Sequence, residues 1–301
     1  MATDGTPAIG FVGLGNIGGP MARNLATKHA GEVIAFDVSP AAFASLDGTK
    51  ARRAHSLAEL AAGADVVFTS LPGSPQVEAV CMGPDGLLAA AARRATTVVD
   101  LSTTTVATAR AVGARLAEAG VAFADAPVAR TVEAARRGEL SIMVGADPAV
   151  FARIEPLLRH LGSDVALCGG IGCGQVVKLV NNALVFEQTA AVAEMMVLGR
   201  RAGVDPALLL DVLSKGSGDS FVLRNHARKA MLPRVFPEGG FPPEYALKDL
   251  DYLAELAAQT GTAAAFPRLA RRYYETAVEQ GLRGRYFPIV IEVVDRDLGP
   301  D

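Results

Sequence analysis

The sequence predicts an α/β fold: a doubly wound parallel sheet in the first part of the chain, then an all-helical C-terminal domain. Three observations carry this. Short β-rich runs alternate with helical stretches up to about residue 170. Beyond a glycine-rich break, Cys168–Gly174, almost everything has helical periodicity. Near the N-terminus an apolar run ends in three glycines, Gly13, Gly15 and Gly18, and a helical pattern begins at once. Alternating β and α elements imply a parallel sheet with right-handed crossovers. The expected domains are 1–170 and 171–301.

The first element reads I-G-F-V-G-L-G-N-I-G-G-P-M-A-R-N-L over Ile9–Leu25. Gly13 permits a tight turn, Gly15 lets the backbone approach a phosphate, and Gly18 lets the helix pack on the strand. Leu14, Asn16 and Ile17 fill the same turn, which aims a helix N-terminus at negative charge. This is a Rossmann-type dinucleotide site, because the strand precedes the glycines and the helix follows.

The next apolar run, Val33–Phe36, ends at Asp37, nineteen residues after Gly18 and close to the ~20 expected for a ribose-binding carboxylate. A carboxylate there accepts from ribose hydroxyls and repels a 2′-phosphate, and Val38, Ser39 and Pro40 supply no arginine. NAD is therefore favoured over NADP. Arg52 and Arg53 stand further along, and their reach is left open by the sequence.

Further strands are predicted at Asp65–Ser70, Thr96–Asp100, Val121–Asp125, Leu140–Val144 and Asp164–Leu167, with helices between most of them, such as Leu57–Ala62, Gln76–Val80 and Thr105–Glu118. Parallel strands bind ligands at their carboxyl ends. The loops after them therefore line one cleft: Leu71–Pro75, Ser102–Thr104 and Ala126–Thr131. Leu71, Pro72 and Thr103 are assigned to the cofactor and Ser102 to the substrate.

In the second domain one long helix is predicted from about Gly174 to Arg201, spanning ~40 Å at the usual rise. Others follow at Pro206–Lys215, Phe221–Met231, Pro243–Thr260, Phe266–Gln280 and Arg285–Asp295, with Pro237–Pro243 read as an ordinary loop. Lys178 and Asn182 lie four residues apart on the long helix, on one face, with Asn181 beside them. Buried at a cleft, a lysine with amides makes a pair that can exchange a proton near neutrality. A lysine reaching solvent past two locally bonded asparagines fits the spacing equally well. On charge alone Lys248–Asp249 reads as a solvated turn.

Bulk properties narrow the function classes. A net charge of −3 with no long basic run argues against nucleic acid, which needs a concentrated positive patch. Cys81, Cys168 and Cys173 form no disulfide framework, which suggests a reducing, cytoplasmic setting. The scattered histidines His29, His55, His160 and His226 offer no metal-ligand spacing, so no metal is expected. Met1–Ala8 lacks a signal-peptide layout. The most apolar long segment, Val176–Leu198, carries Lys178, Glu187 and Glu194, which argues against a membrane span.

Taken together these segments resemble the β-hydroxyacid dehydrogenase family, which contains 3-hydroxyisobutyrate dehydrogenase and tartronate semialdehyde reductase. Gly10–Leu25 resembles its cofactor signature, with Ile17 for the usual Met. Asp100–Thr103 (D-L-S-T) resembles the segment beside the nicotinamide, and Asp125–Val128 (D-A-P-V) opens the substrate-loop motif. Gly172–Asn182 (G-C-G-Q-V-V-K-L-V-N-N) resembles the motif whose lysine is catalytic, and Tyr245–Leu250 (Y-A-L-K-D-L) the late motif whose lysine reaches cofactor and active site. The resemblance implies hydride transfer between NAD and a small anionic 3-hydroxy acid or its semialdehyde. It gives Lys178 the proton, Asn182 its orientation, and Lys248 a contact with cofactor and substrate. It also implies a homodimer or homotetramer built through the helical domain. Imine-reducing relatives lack the lysine, and non-catalytic scaffolds lose it.

One departure stands out. Where the family continues with S-G-G, this sequence has Ala129, Arg130 and Thr131. A guanidinium suits an oxyanion, so Arg130 is expected to grip the substrate's anionic head, with Thr131 and Asn181 assisting. The x-R-T loop is similar to that of sulfolactaldehyde reductases, which makes a sulfonate the alternative to a carboxylate.

Overall fold

The computed structural model describes residues 6–297. They fall into two compact units, Met1–Lys178 and Leu179–Asp301.

The first unit is built as follows: β1 (Ile9–Val12), α1 (Gly18–Lys28), β2 (Val33–Phe36), a 3-10 segment (Pro40–Leu46), β3 (Arg52–Arg53), α2 (Leu57–Gly63), β4 (Val66–Thr69), α3 (Ser74–Met82), β5 (Thr97–Asp100), α4 (Val106–Glu118), β6 (Ala122–Asp125), β7 (Val128–Ala129), α5 (Val132–Arg137), β8 (Leu140–Gly145), α6 (Pro148–Leu158) and β9 (Gly162–Gly169). Among the described residues these strands make one nine-stranded sheet, in the order β3-β2-β1-β4-β5-β6-β8-β7 with β9 on β8. β3 through β6 are parallel, Gly10 pairing with Ile34 on one side and Val67 on the other. The central strands β1, β4 and β5 are buried throughout, as befits β-branched and aromatic runs covered by helices on both faces. One face packs Phe11, Leu25 and Phe68 under α1 and α6; the other packs Ile34, Leu60, Val98 and Leu116 under α2 and α4. Strand order reverses between β1 and β4, and at such a switch point sheets of this kind bind ligands beyond the carboxyl ends of the strands.

The far side departs from the uniformly parallel sheet that the alternation predicts. β8 runs antiparallel to β6, with Asp125 opposite Gly145, and β7 lies in what the sequence reads as a loop. The backbone leaves β6 through Pro127 and folds Val128–Ala129 directly onto β8, the Pro127 carbonyl accepting from Met143 N at 3.1 Å. A two-residue strand held only by its neighbour carries no periodicity to read.

The second unit is helical. α7 (Cys173–Arg201) begins in the first unit and continues into the second. It is followed by α8 (Pro206–Leu213), a π-helix (Leu223–Met231), α9 (Pro243–Thr260), α10 (Ala265–Glu279) and, after a 3-10 turn, α11 (Val290–Asp297). Phe186, Tyr274 and Phe287 form its aromatic centre, with ring centroids 5.6–6.5 Å apart. The helix predicted at 221–231 is wound as a π-helix over most of that span, a form frequent where function demands a local irregularity. Among the described residues no helix is long and apolar enough to cross a membrane, and no cluster of metal-binding side chains occurs.

Candidate active site

At the switch point the glycine turn has the shape its sequence implies. Gly13 takes φ +94, and an added Cβ would come 2.2 Å from the Ser70 carbonyl of the neighbouring strand end. A Cβ on Gly18 would strike the Gly13 carbonyl at 2.1 Å. A Cβ on Gly15 would meet nothing within 4 Å. The two outer glycines thus permit close packing, while the middle one faces open space. α1 starts with no side-chain N-cap and no acidic residue in its first turn, the charge pattern that an anionic pyrophosphate requires. Leu14 is buried, Ile17 half-buried, and Asn16 exposed at the rim of the turn.

Asp37 ends β2 beside this turn. Its Oδ2 accepts from Leu14 N at 2.6 Å and its Oδ1 from Ser39 N at 2.7 Å. Each oxygen keeps a lone pair free to accept a further hydroxyl, and Val38 beyond it is 89% exposed. Arg52 is taken up by Glu32 and Glu59, and Arg53 stacks on Phe43, 4.4 Å from the ring centroid. The residues present fit a dinucleotide with a free 2′-hydroxyl.

The loops after β4 and β5 are tied to one another. Leu71 N donates to Ser102 Oγ at 2.9 Å, and Ser102 N to Asp100 Oδ1 at 3.0 Å. Ser102, assigned from sequence to the substrate, thus also holds the Leu71–Pro72 turn through its hydroxyl oxygen. Thr103 is half-buried beside it and Pro72 exposed. Asp100 itself is buried and accepts from Thr69 Oγ1 at 2.8 Å; burial pushes its carboxyl above the usual range.

Asp125, in register with Asp100 on the adjoining strand, does something the sequence reading misses. Its carboxylate accepts from Gly172 N at 2.6 Å and Gln175 N at 2.8 Å, capping the first turn of α7. Burial raises its carboxyl to about 6, while the two N–H donors pull the other way and Asp100 adds to the rise. Gln175 is fully buried and bonds at both ends of its amide: Nε2 donates to Ser102 O at 2.9 Å and Oε1 accepts from Thr104 N at 3.1 Å. Lys178, one turn further along, is buried at 8% exposure. The reading of Lys178 as a lysine reaching solvent is therefore set aside. By contacts the first unit reaches Lys178, and these bonds fasten the first turn of α7 to the sheet.

Arg130 is placed otherwise than expected. It sits at φ 89, a left-handed geometry at the position where the family motif has glycine. Its guanidinium is engaged by the Glu139 carbonyl at 2.6 Å, by Ser163 Oγ at 2.8 Å and by the Asp164 carboxylate. Three acceptors on or beside β8 and β9 lie within its reach, and they claim it. Beside it the Thr131 hydroxyl accepts from Ala134 N at 3.2 Å as the N-cap of α5.

In the second unit Asn182 Nδ2 donates to Asp249 Oδ2 at 2.6 Å, and Asn181 Nδ2 donates to Asn182 Oδ1 at 3.1 Å. Lys248 Nζ lies 2.8 Å from Asp249 Oδ1 in an ion pair, and 4.6 Å from the Tyr252 ring centroid. Asp249 is 2% exposed, so Lys248–Asp249 is not a solvated turn. Its signal in the sequence was the apolar flanks Leu247 and Leu250, which put one face of α9 inward.

Residues 8–170 match the family profile described as the NAD binding domain of 6-phosphogluconate dehydrogenase. Residues 172–294 match that of the NAD-binding domain of NADP-dependent 3-hydroxyisobutyrate dehydrogenase. The sequence is 35% identical to a 2-(hydroxymethyl)glutarate dehydrogenase of Eubacterium barkeri over 291 residues, 97% of this protein and 96% of that one. It is 37% identical to a 3-hydroxyisobutyrate dehydrogenase of Pseudomonas aeruginosa over 274 residues, 88% and 90% of the two proteins. Among solved structures, that of Mycobacterium tuberculosis 3-hydroxyisobutyrate dehydrogenase with L-serine superposes at a TM-score of 0.86 and 31% identity, covering 96% of this protein and 99% of that one.

Proposed function

The protein belongs to the β-hydroxyacid dehydrogenase family, an NAD-dependent oxidoreductase of hydroxyacids, and on that premise we propose that Lys178 carries the proton of the reaction. Bound NAD supplies the hydride acceptor. The observation that bears most weight is a buried lysine on a helix whose first turn is fastened to the end of the sheet by Asp125 and Gln175. In the oxidative direction its amine takes the hydroxyl proton as the carbonyl forms. In the reductive direction its ammonium returns that proton and stabilises negative charge on the oxygen. Asn182 shares the face of α7 with Lys178, one turn on. Its amide, bonded to Asp249, orients Lys178 or the substrate hydroxyl. Asn181 and Lys248 assist, Lys248 reaching the cofactor and the substrate.

The substrate is a small anionic 3-hydroxy acid or its semialdehyde, its charge met by Arg130. The ion pair that now holds Arg130 joins two exposed side chains, and such pairs are weak because water screens them. A substrate oxyanion brought to the loop competes with Asp164 for the guanidinium. Arg130 is the ground for placing a sulfonate beside the carboxylates. The helical unit carries exposed apolar side chains along α7 and α8, among them Leu184, Leu198 and Val212, which suits assembly as a homodimer or homotetramer.

The test is turnover with NAD and a panel of 3-hydroxyisobutyrate, L-serine, 2-(hydroxymethyl)glutarate, 3-hydroxypropionate and a three-carbon hydroxysulfonate, for the parent and for Lys178→Met. Turnover of at least one compound that disappears in the variant, with NADH still bound, supports the reading. Undiminished turnover in Lys178→Met removes it. Binding of NADH without turnover of anything in the panel favours a cofactor-holding scaffold.

A further inference from the structure

The motif residue that the proton-transfer reading leaves without a task is Gln175. Its amide is fully buried and makes two bonds, both to the backbone of a single loop: Nε2 to the Ser102 carbonyl at 2.9 Å and Oε1 from the Thr104 N–H at 3.1 Å. The loop between those two atoms is Thr103, the residue assigned to the cofactor. Its start is anchored to the sheet by Asp100 and its Ser102 hydroxyl holds Leu71. The Gln175 amide thus ties this loop to α7, and Lys178 lies three residues on, on the same side of the helix.

From this arrangement we infer that Gln175 is a positioning residue: it sets the distance between the Ser102–Thr104 loop and the Lys178 amine, and so the alignment of cofactor, substrate oxygen and proton carrier. The inference rests on Lys178 carrying the proton.

The chemistry of the amide explains why a neutral group is used. A backbone carbonyl and a backbone N–H two residues apart present one acceptor and one donor, and an amide offers the complementary pair. A carboxylate would satisfy Thr104 N–H but face the Ser102 carbonyl oxygen with another oxygen. An alkyl group would leave both buried without partners. Asp125 fixes the backbone at Gln175 through its N–H, so the amide is delivered to the loop at a set height above the end of the sheet. The cofactor's own grip lies elsewhere, at the glycine turn and Asp37. Loss of the Gln175 bonds should therefore disturb reaction geometry before it disturbs NADH affinity.

The experiment compares Gln175→Leu, Gln175→Glu and Lys178→Met with the parent, using the panel compound that the parent oxidises fastest, with deuterium at its reacting carbon in a parallel series. For Gln175→Leu, kcat is expected to fall on the order of 100-fold, as small misplacements of reacting groups do. The NADH dissociation constant should stay within threefold and the isotope effect on kcat should rise. Gln175→Glu is the near-isosteric control and carries the test if Gln175→Leu does not fold. Relative to the parent at each pH, its activity should recover as the pH falls. A protonated carboxyl can donate to the Ser102 carbonyl as the amide did, and a purely structural residue would show no such recovery.

A kcat within threefold of the parent in a folded variant overturns the inference. So does a Gln175→Glu pH profile parallel to the parent's, or loss of the folded protein in both variants, which would make Gln175 a core-building residue only. If Lys178→Met keeps its turnover, or if no panel compound is turned over, the proton-transfer reading fails first and this one with it. An inactive Lys178→Met beside unaffected Gln175 variants removes this inference alone.

Discussion

Asp125 Oδ2 accepts the backbone N–H of Gln175 at 2.8 Å, so the carboxylate that closes β6 caps the helix that carries Lys178. The close approach is possible because Gly174 bears no Cβ: one placed there would come 2.4 Å from the Met143 carbonyl. Strand end, helix N-terminus and buried lysine are one mechanical unit, and a carboxylate at a helix N-terminus also suits the helix dipole.

Asp125 gives that unit a pH dependence. Burial raises its carboxyl from 3.8 to about 6 in the folded protein, so between those values the folded state binds more protons than the unfolded one. Its contribution to stability is complete below about pH 4 and is lost as the pH rises through about 6. Urea unfolding of the parent and Asp125→Asn should therefore diverge in the parent's favour on going from pH 7 to pH 4, by on the order of 2 kcal/mol. Stability curves that stay parallel over that range rule out a raised Asp125.

Lys178→Met should lower kcat by about 10³-fold or more, within the range that general acid–base catalysis supplies at its upper end, while NADH fluorescence shifts on binding as with the parent. Residual activity above a few per cent would place the proton carrier elsewhere.

Arg130→Ala should reduce kcat/KM by about 10- to 100-fold, since a hydrogen bond to a charged group contributes roughly 1.5–3 kcal/mol. Asp164→Asn, which releases the guanidinium from its present partner, should leave kcat/KM unchanged or raise it. Equal kinetics for Arg130→Ala and parent would return Arg130 to a surface role.

The two glycines of the turn should respond differently. Gly13→Ala meets both a positive φ and the Ser70 carbonyl at 2.2 Å, so it should lower the melting temperature sharply or prevent folding. Gly15→Val points into open space. It should keep the parent's melting temperature without ligand but weaken NADH binding at least tenfold in titration calorimetry. Unimpaired NADH binding by a folded Gly15→Val would mean that the pyrophosphate does not lie against this turn.

Much of the site could be read directly from the sequence because it is built from local geometry. The glycine turn, Asp37 at the end of β2, and Lys178 with Asn182 one turn apart each lie within a single strand–turn–helix or a single helix, where spacing alone fixes which residues are neighbours. The contacts that the sequence does not show mostly depend on partners far away in it. Arg130 finds Asp164 34 residues on, and Ser102 meets Leu71 31 residues back. Thr131 is the exception, its hydroxyl capping its own helix. Asp249 reads as a surface charge until Asn182, 67 residues away, is seen to bond it.

By itself the sequence determined the alternation of strands and helices, the glycine turn, the place of Asp37 at the end of β2, and the helix bearing the lysine. Periodicity, glycine placement and like-charge repulsion act over a few residues and need no fold to be evaluated. Only the tertiary structure decided that β8 runs against β6, that Asp125 and Gln175 hold Lys178's helix to the sheet, and that Arg130 is already paired. Each of these depends on which distant backbone groups and charges are brought within hydrogen-bonding reach. Burial makes the Asp125 and Gln175 pairings matter most, because a polar group cut off from water must find its partner inside the protein.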